Sequence, residues 1–472
     1  PVFYTATCQF ARWDDDEISG GEIMWANPTA GAIAMMSTTR TVYISYNGTL
    51  SLNVGKYMFS TDTDNKAVRL GDVYRLAKNN FSSPDDNKLR YVLLGDPAMR
   101  MPMPYYTVKT TSLDGMDIAN VTADSEEMPV LKANSKVSAK GEIVDPDGNI
   151  LSSFNGYLYV DLYDAEKVMT TLGRDNEESP ASFNDRPTRL FSSKVKVTGG
   201  RWDTSLLIPS EIEGNWSPAL LSLYAASDDG IEANGHFDNF YVYGWNEDGT
   251  SDTEGPEITG FGLNTPNFTN GGTVSSMPVV LARLSDESGI NISSAGIGHK
   301  LRLTLDGKTH FDDLENYFTP AEDDIFSGDI CYPMLELSDG EHTLTLTAWD
   351  NAGNISSADI DFKVTVSPKP TIYDVVTDAN PAVSSVTFTI LHDRIQELTD
   401  ARIDVYDLSG RRVWSKDLSS KGGYDETTQM TWDLTDGSGH RVDRGIYIYR
   451  ASLTSEEGVT VSKSNKLAVA AK

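Results

Sequence analysis

Cysteine is nearly absent: 472 residues carry only Cys8 and Cys331, far apart in the sequence. That excludes a disulfide framework and a four-cysteine zinc site. It leaves the compartment open, because a large chain with sufficient cores folds without disulfides. Positive charge is also scarce. Lys and Arg number 39 against 69 Asp and Glu, a net charge of −30. Phosphate backbones are held by basic surfaces, so nucleic acid is excluded as a partner. The same charge disfavours direct docking on anionic headgroups. No apolar run approaches the roughly 20 residues of a membrane-spanning helix. The first residues do not read as a signal peptide and residues 2–7 read as a buried strand, so the chain is expected to start inside a folded unit with something upstream removed. Histidine is rare as well. The six are His236, His299, His310, His342, His392 and His440, and none lies in the first 106 residues.

What is present points to packed β-rich domains. Hydrophobic residues make up 39% and aromatics 10%, with 38 Gly and 20 Pro. That is enough apolar material for real cores. The length corresponds to roughly three to four domains.

Residues 1–106 differ in pattern from the rest. A β-branched and aromatic run over residues 2–7 precedes an acidic loop, Asp14-Asp15-Asp16-Glu17. Ser19 can cap a helix running through Glu22-Ile23-Met24-Trp25 and ending before Asn27-Pro28. Residues 30–36 read as a second buried strand. Val68, Leu70, Val73, Tyr74 and Ala77 fall on one helical face. Tyr91-Val92-Leu93-Leu94 is a third strand, ended by Gly95-Asp96-Pro97. Alternating strands and helices predict an α/β layer with a mostly parallel sheet.

Beyond Pro102 and Pro104 strands alternate with turns. Asp145-Pro146-Asp147-Gly148 is a turn, and Tyr157-Leu158-Tyr159-Val160-Asp161-Leu162-Tyr163 alternates strongly. A polar stretch at residues 246–255 marks one boundary. Pro368 and Pro370 mark another. Short strands at this spacing predict β-sandwiches.

Cys8 lies just past the carboxyl end of the first strand, where parallel α/β sheets place their functional crevice. A thiolate there can attack a carbonyl carbon if a base takes its proton and backbone N–H groups hold the oxyanion. The alternative is a small buried hydrophobe. The absence of histidine from residues 1–106 rules out a Cys–His pair within that unit. Asp14, Asp15, Asp16 and Glu17 could offer oxygen ligands to calcium, without the spacing of an EF-hand loop. A solvated acidic loop at a helix start is the favoured reading. Asp228-Asp229 and Asp323-Asp324 read the same way. His299 and His310 flank a hairpin and lack further ligands for a metal. Cys331, Trp349, Trp414 and Trp432 are expected to fill sandwich cores.

Three stretches of residues 1–106 resemble the end of the gingipain-type cysteine peptidase domain, a caspase-like α/β fold. They are Thr5-Ala6-Thr7-Cys8 with its acidic loop, Gly31-Ala32-Ile33-Ala34 through Ser37-Thr38-Thr39-Arg40, and Leu93-Leu94-Gly95-Asp96-Pro97-Ala98-Met99-Arg100. Asp286-Glu287-Ser288-Gly289-Ile290-Asn291, Gly296-Ile297-Gly298-His299 and residues 342–354 resemble the β-domains of the sortase-like members that serve type IX secretion in Bacteroidetes. Asn380-Pro381, the run from Ile403-Asp404-Val405-Tyr406 to Ser409-Gly410, and Gly445-Ile446-Tyr447 resemble the carboxyl-terminal sandwich of that system's cargo.

The resemblance implies a multidomain chain. The carboxyl-terminal part of a caspase-like α/β domain spans 1–106. Three all-β, Ig-like sandwiches follow at 107–252, 253–367 and 368–472, the last of the secretion-signal type. It implies that Cys8 is the nucleophile. The family's histidine and third catalytic carboxylate would lie upstream, so residues 1–472 alone are expected to be inactive. It implies a surface enzyme at the outer membrane of a Gram-negative, Bacteroidetes-type bacterium. Such an enzyme removes carboxyl-terminal signal domains from secreted cargo and transfers the cargo to an anionic lipopolysaccharide through a thioester. The implied partners are that cargo, a membrane β-barrel shuttle with other attachment-complex proteins, and the lipopolysaccharide acceptor. No cofactor is expected beyond a possible structural calcium. The competing expectation is a non-catalytic surface scaffold or adhesin with a degenerate peptidase unit. A carbohydrate-binding protein is a third reading, which would need aromatic side chains exposed in a row.

Overall fold

The computed structural model describes residues 1–27, 31–64, 66–81, 87–173, 179–249, 251–293, 298–365, 369–394, 398–421, 428–455 and 458–470. Pro28, Ala30, Gly296, Ile297 and Pro368, each used in the sequence reading, lie outside them. The chain divides into two compact units. The first comprises Pro1–Thr107 with Ile143–Leu151 and Asp229–Asn234, and the second comprises the rest.

In the first unit, β1 (Val2–Tyr4) pairs in parallel with β2 (Ala34–Thr38), Val2 opposite Ala34 and Tyr4 opposite Met36. The third strand, β3 (Tyr91–Gly95), runs antiparallel to β2, with Thr38 opposite Tyr91. The sheet order is β1-β2-β3. The expected mostly parallel sheet is therefore corrected: one of its two pairings is antiparallel. The Thr39 amide donates to the Arg90 carbonyl at 2.8 Å. The chain thus re-enters the sheet at the end where β2 leaves it, and can only run back. β2 itself starts later than expected, at Ala34, and every residue in it is buried.

Helix α1 (Gly20–Ala26) begins where the sequence places it. The Ser19 side chain accepts from the Glu22 amide, and the Glu22 carboxylate accepts from the Ser19 amide at 3.0 Å, a complete capping box. Helix α2 (Ile44–Met58) was not anticipated. Gly48, Gly55 and three asparagine or threonine positions weaken its intrinsic propensity. Leu50, Val54 and Met58 recur every fourth residue and are buried, so packing supplies what propensity lacks. Helix α3 (Leu70–Asn79) buries Leu70, Val73 and Ala77, as its spacing predicts, and the short α4 (Asn87–Arg90) leads into β3. Ala34, Met36, Leu50, Val54, Val73 and Tyr91 form one core.

The second unit is built of strands. Gly156–Tyr163 lies between Arg189–Val197 and Leu220–Ser227, antiparallel to both. Arg201–Ile208 pairs antiparallel with residues 135–142. Further along, a four-stranded and a five-stranded sheet contribute Leu284, Ile330, Leu303, Leu346 and Phe362 to a shared core. The last part places a three-stranded and a four-stranded sheet around Phe388, Trp432, Val405 and Tyr449. The alternation that predicts strands also sorts their faces: along Val386–His392 every second residue is buried.

Candidate active site around Cys8

Residues 5–11 leave β1 and fold across the end of β2. The Thr5 amide donates to the Met36 carbonyl at 3.0 Å, and the Ala11 amide to the Thr38 carbonyl at 2.9 Å. Two fully buried hydroxyls fix this crossing. Ser37 Oγ and Thr5 Oγ1 are 2.5 Å apart, and Thr38 Oγ1 donates to the Thr7 carbonyl. Gln9 follows Cys8 at φ +58°, a left-handed conformation that is uncommon without glycine. It is held by its amide bond to the Arg40 carbonyl at 3.3 Å and by its side-chain amide to Thr41 Oγ1 at 3.3 Å. Backbone strain of this kind persists only where the surroundings over-determine it. Here the turn leaves Cys8 exposed just past the carboxyl end of β1. The buried-hydrophobe reading of Cys8 therefore fails.

The sulfur faces the start of α2. The Val42 amide donates to Sγ at 3.5 Å, and Sγ lies 3.6 Å from the Val42 carbonyl. Two buried amides that the sequence reading did not single out fix that contact. Asn87 accepts from the Tyr43 amide at 3.1 Å and donates to the Tyr43 carbonyl at 2.9 Å. Asn47 donates to the Ala6 carbonyl at 3.4 Å, so α2 grips the segment that carries Cys8. Polar residues inside a weakly helical stretch gave no sequence signal for this role. Beneath the site Tyr4 and Tyr91 stack at 5.8 Å with planes 4° apart. Burial holds the Tyr91 hydroxyl well above the usual phenol range.

The acidic loop is engaged by arginine. Arg40 grips Asp14 with two bonds, one of them 3.0 Å, and Arg12 reaches Asp15 at 2.9 Å. The hydrogen bond from Arg40 holds Asp14 below the usual carboxylate range. Asp16 donates its amide to Asp15 Oδ1, and Asp15, Asp16 and Glu17 are exposed. The loop thus fastens the segment after Cys8 to the segment after β2.

The other candidates separate. His299 stacks on Trp349 at 3.8 Å beside Glu211, while His310 bonds Thr304 Oγ1 at 3.0 Å. Asp323 accepts from the Lys196 amide, and Asp324 from the Phe326 amide at 2.9 Å. Trp432 is fully buried, Trp414 packs against the same core, and Cys331 lies half-buried opposite Leu281.

Residues 1–102 match the model of peptidase family C25. Cys8 lies within this matching segment. No curated protein sequence matches the chain. Among solved structures the chain is similar to latent PorU from Porphyromonas gingivalis, with 28% identity over 94% of this chain and 41% of that one, at a TM-score of 0.38. It is also similar to the complex of Porphyromonas gingivalis RgpB pro- and mature domains, with 12% identity over 51% of this chain and 46% of that one, at a TM-score of 0.22. A Bacteroides ovatus glucan-utilisation protein, SGBP-B, solved with a mixed-linkage heptasaccharide, shows 13% identity over 73% of this chain and 67% of that one, at a TM-score of 0.24. The chain spans about two fifths of the length of the PorU chain it matches. Among the described residues no helix is long and apolar enough to cross a membrane.

Proposed function

We propose that Cys8 is the nucleophile of a C25-type peptidase that acts as a transpeptidase on secreted cargo. The observation that carries this is the exposed Cys8 past the end of β1, within the segment that matches the family. The thiolate Sγ adds to the carbonyl carbon at the junction of cargo and signal domain. The C–N bond breaks, the departing amine takes a proton, and a thioester remains on Cys8. An amine of a lipopolysaccharide acceptor then adds to the thioester carbon. The C–S bond breaks, the amine gives up its proton and an amide forms. Residues 1–107 contain no histidine, so the general base comes from outside this unit, on the family resemblance from a segment that precedes it. The strand-built second unit is a stiff spacer and partner surface at the cell surface.

The same lack of histidine is what favours the second reading, a non-catalytic scaffold with a degenerate peptidase unit. The two part in one experiment. In the protein extended upstream of Pro1, wild type is compared with Cys8→Ala on cargo bearing its carboxyl-terminal signal domain. Loss of cleavage by at least about a thousandfold, with an unchanged circular dichroism spectrum, is expected for loss of a nucleophile. Equal cleavage by both proteins, or none by either, supports the scaffold.

A further inference from the structure

We propose that Asp252, Asp286 and Asp350 form a calcium site in the second unit. One carboxylate oxygen of each lies within 4.8 Å of the other two. Oxygens on opposite sides of a calcium ion, each at about 2.4 Å, stand about 4.8 Å apart, so this is the spacing of ligands in one coordination shell.

The three residues come from separate segments whose backbones are tied together. Asp286 directly follows the strand Val279–Ser285, and Asp350 directly follows Gly340–Trp349. The Asn351 amide donates to the Gly289 carbonyl at 3.0 Å and the Asn291 amide to the Trp349 carbonyl at 2.9 Å, which locks the two acidic turns side by side. Asp252 belongs to the segment joining Tyr241–Trp245 to Glu257–Leu263. Asn354 Nδ2 donates to its carbonyl at 3.1 Å and holds it at the same place.

Asp350 is wholly buried. Among the described residues no Lys, Arg or His forms an ion pair with any of the three. Clustered carboxylates without a counter-charge cost free energy that a cation removes.

A second observation has nothing to do with the carboxylate count. Asn351 is 5% exposed, and its Oδ1 is buried without a partner. Its Nδ2 donates to the Ser288 carbonyl at 3.0 Å, which sets the amide against the turn that carries Asp286. Oδ2 of Asp252 is likewise buried and unpartnered. Both orphaned atoms are oxygens; Asn351 lies outside the carboxylate set, while Asp252 is one of its members. Carboxylates with an amide oxygen are calcium's ligand set; no Cys or His is among them to favour zinc. Magnesium keeps most of its water and demands stricter geometry.

The site also has an entrance. A cleft of about 760 Å³ is lined by Asp252, Glu254, Glu257, Asp286, Glu287 and Asp324 and by no basic residue. A bound ion would clamp the segment around Asp252 to the two turns and fix the junction between the neighbouring β-layers.

The test uses the full 472-residue chain, stripped with chelator. Calorimetry with calcium is expected to show one site per chain, with Kd on the order of 0.1–1 mM and weaker magnesium binding. Terbium luminescence excited through tryptophan is expected to rise with it, because Trp349 adjoins Asp350. Asp252→Asn is expected to weaken calcium binding at least about tenfold with an unchanged circular dichroism spectrum. Trp349→Phe is expected to abolish most terbium emission while calcium binding by calorimetry persists. Asp252→Asn carries the test even if Asp350→Asn fails to fold, since Asp252 is only half-buried. Absence of calcium binding at 10-fold above that Kd, or wild-type affinity in Asp252→Asn, overturns the proposal. Terbium emission unchanged by Trp349→Phe places the ion elsewhere and overturns it too.

Discussion

His342 meets two partners that can only accept. Its Nδ1 lies 2.8 Å from Asp306 Oδ2 and its Nε2 lies 2.8 Å from the Ser338 carbonyl. With both ring nitrogens protonated each meets an acceptor, so the surroundings favour the imidazolium form of a ring that stacks on Phe362 at 5.5 Å. Burial alone would lower its pKa. The Ser338 carbonyl and the Asp306 carboxylate reverse that and raise it above the ordinary histidine value. The sign follows. A raised pKa gives stability that is fully present below about pH 6.5 and is lost as pH rises through the folded value. His342→Gln is expected to lower the melting temperature more at about pH 5.5 than at about pH 8.5. A deficit that grows with pH would contradict the double-donor geometry. At Cys8 the same scale shows what a sequence discloses. The position of a cysteine just past a strand end was legible, because strand and loop are local patterns; its exposure came only with the turn at Gln9. The grip of Asn47 and Asn87 on that segment was not, because their partners lie some 40 residues away.

Among the elements, α1 and α2 mark opposite ends of legibility. Helix α1 is written in its cap, Ser19 with Glu22 three residues on, and begins where that pattern says. Ser19→Ala removes one half of the box and is expected to cost about 1 kcal/mol of local helix stability. Hydrogen exchange should show it as roughly fivefold faster exchange at the Glu22 and Ile23 amides. Unchanged exchange would mean that burial of Gly21 against Ala11, rather than the cap, holds this turn. Helix α2 carries two glycines and no side-chain cap, and only its packed face of Leu50, Val54 and Met58 keeps it helical. The direction of β3 was equally hidden. Strand sequences specify a face by alternation, whereas direction depends on where the preceding helices return the chain.

For the whole molecule, charge is the dominant long-range quantity. The chain carries a net −30, and self-repulsion of that size opposes the compact state. Raising sodium chloride from about 0.01 M to 0.15 M shortens the Debye length from roughly 30 Å to 8 Å. The melting temperature is expected to rise over that range. A fall would show that local pairs such as Arg40 with Asp14 and Lys194 with Glu322 outweigh the global term. Within the second unit such contacts link distant parts of the chain: the Tyr157 hydroxyl donates to Glu322 at 3.1 Å, and the Ser210 amide to the Asn351 carbonyl at 2.7 Å.

Properties that add up or repeat along the chain were settled by the sequence alone. They are the acidic balance, the lack of a disulfide framework, the β-rich character after residue 106, and the placement of a cysteine after the first strand. Composition is a sum and alternation is a local period, and both survive without knowledge of what packs on what. The tertiary structure decided the rest. It turned β3 against β2, gave α2 its helix, fastened the acidic loop to Arg40, and brought Asp252, Asp286 and Asp350 within one ion's reach. Each of these depends on contacts between residues tens of positions apart, and no local pattern encodes such a distance.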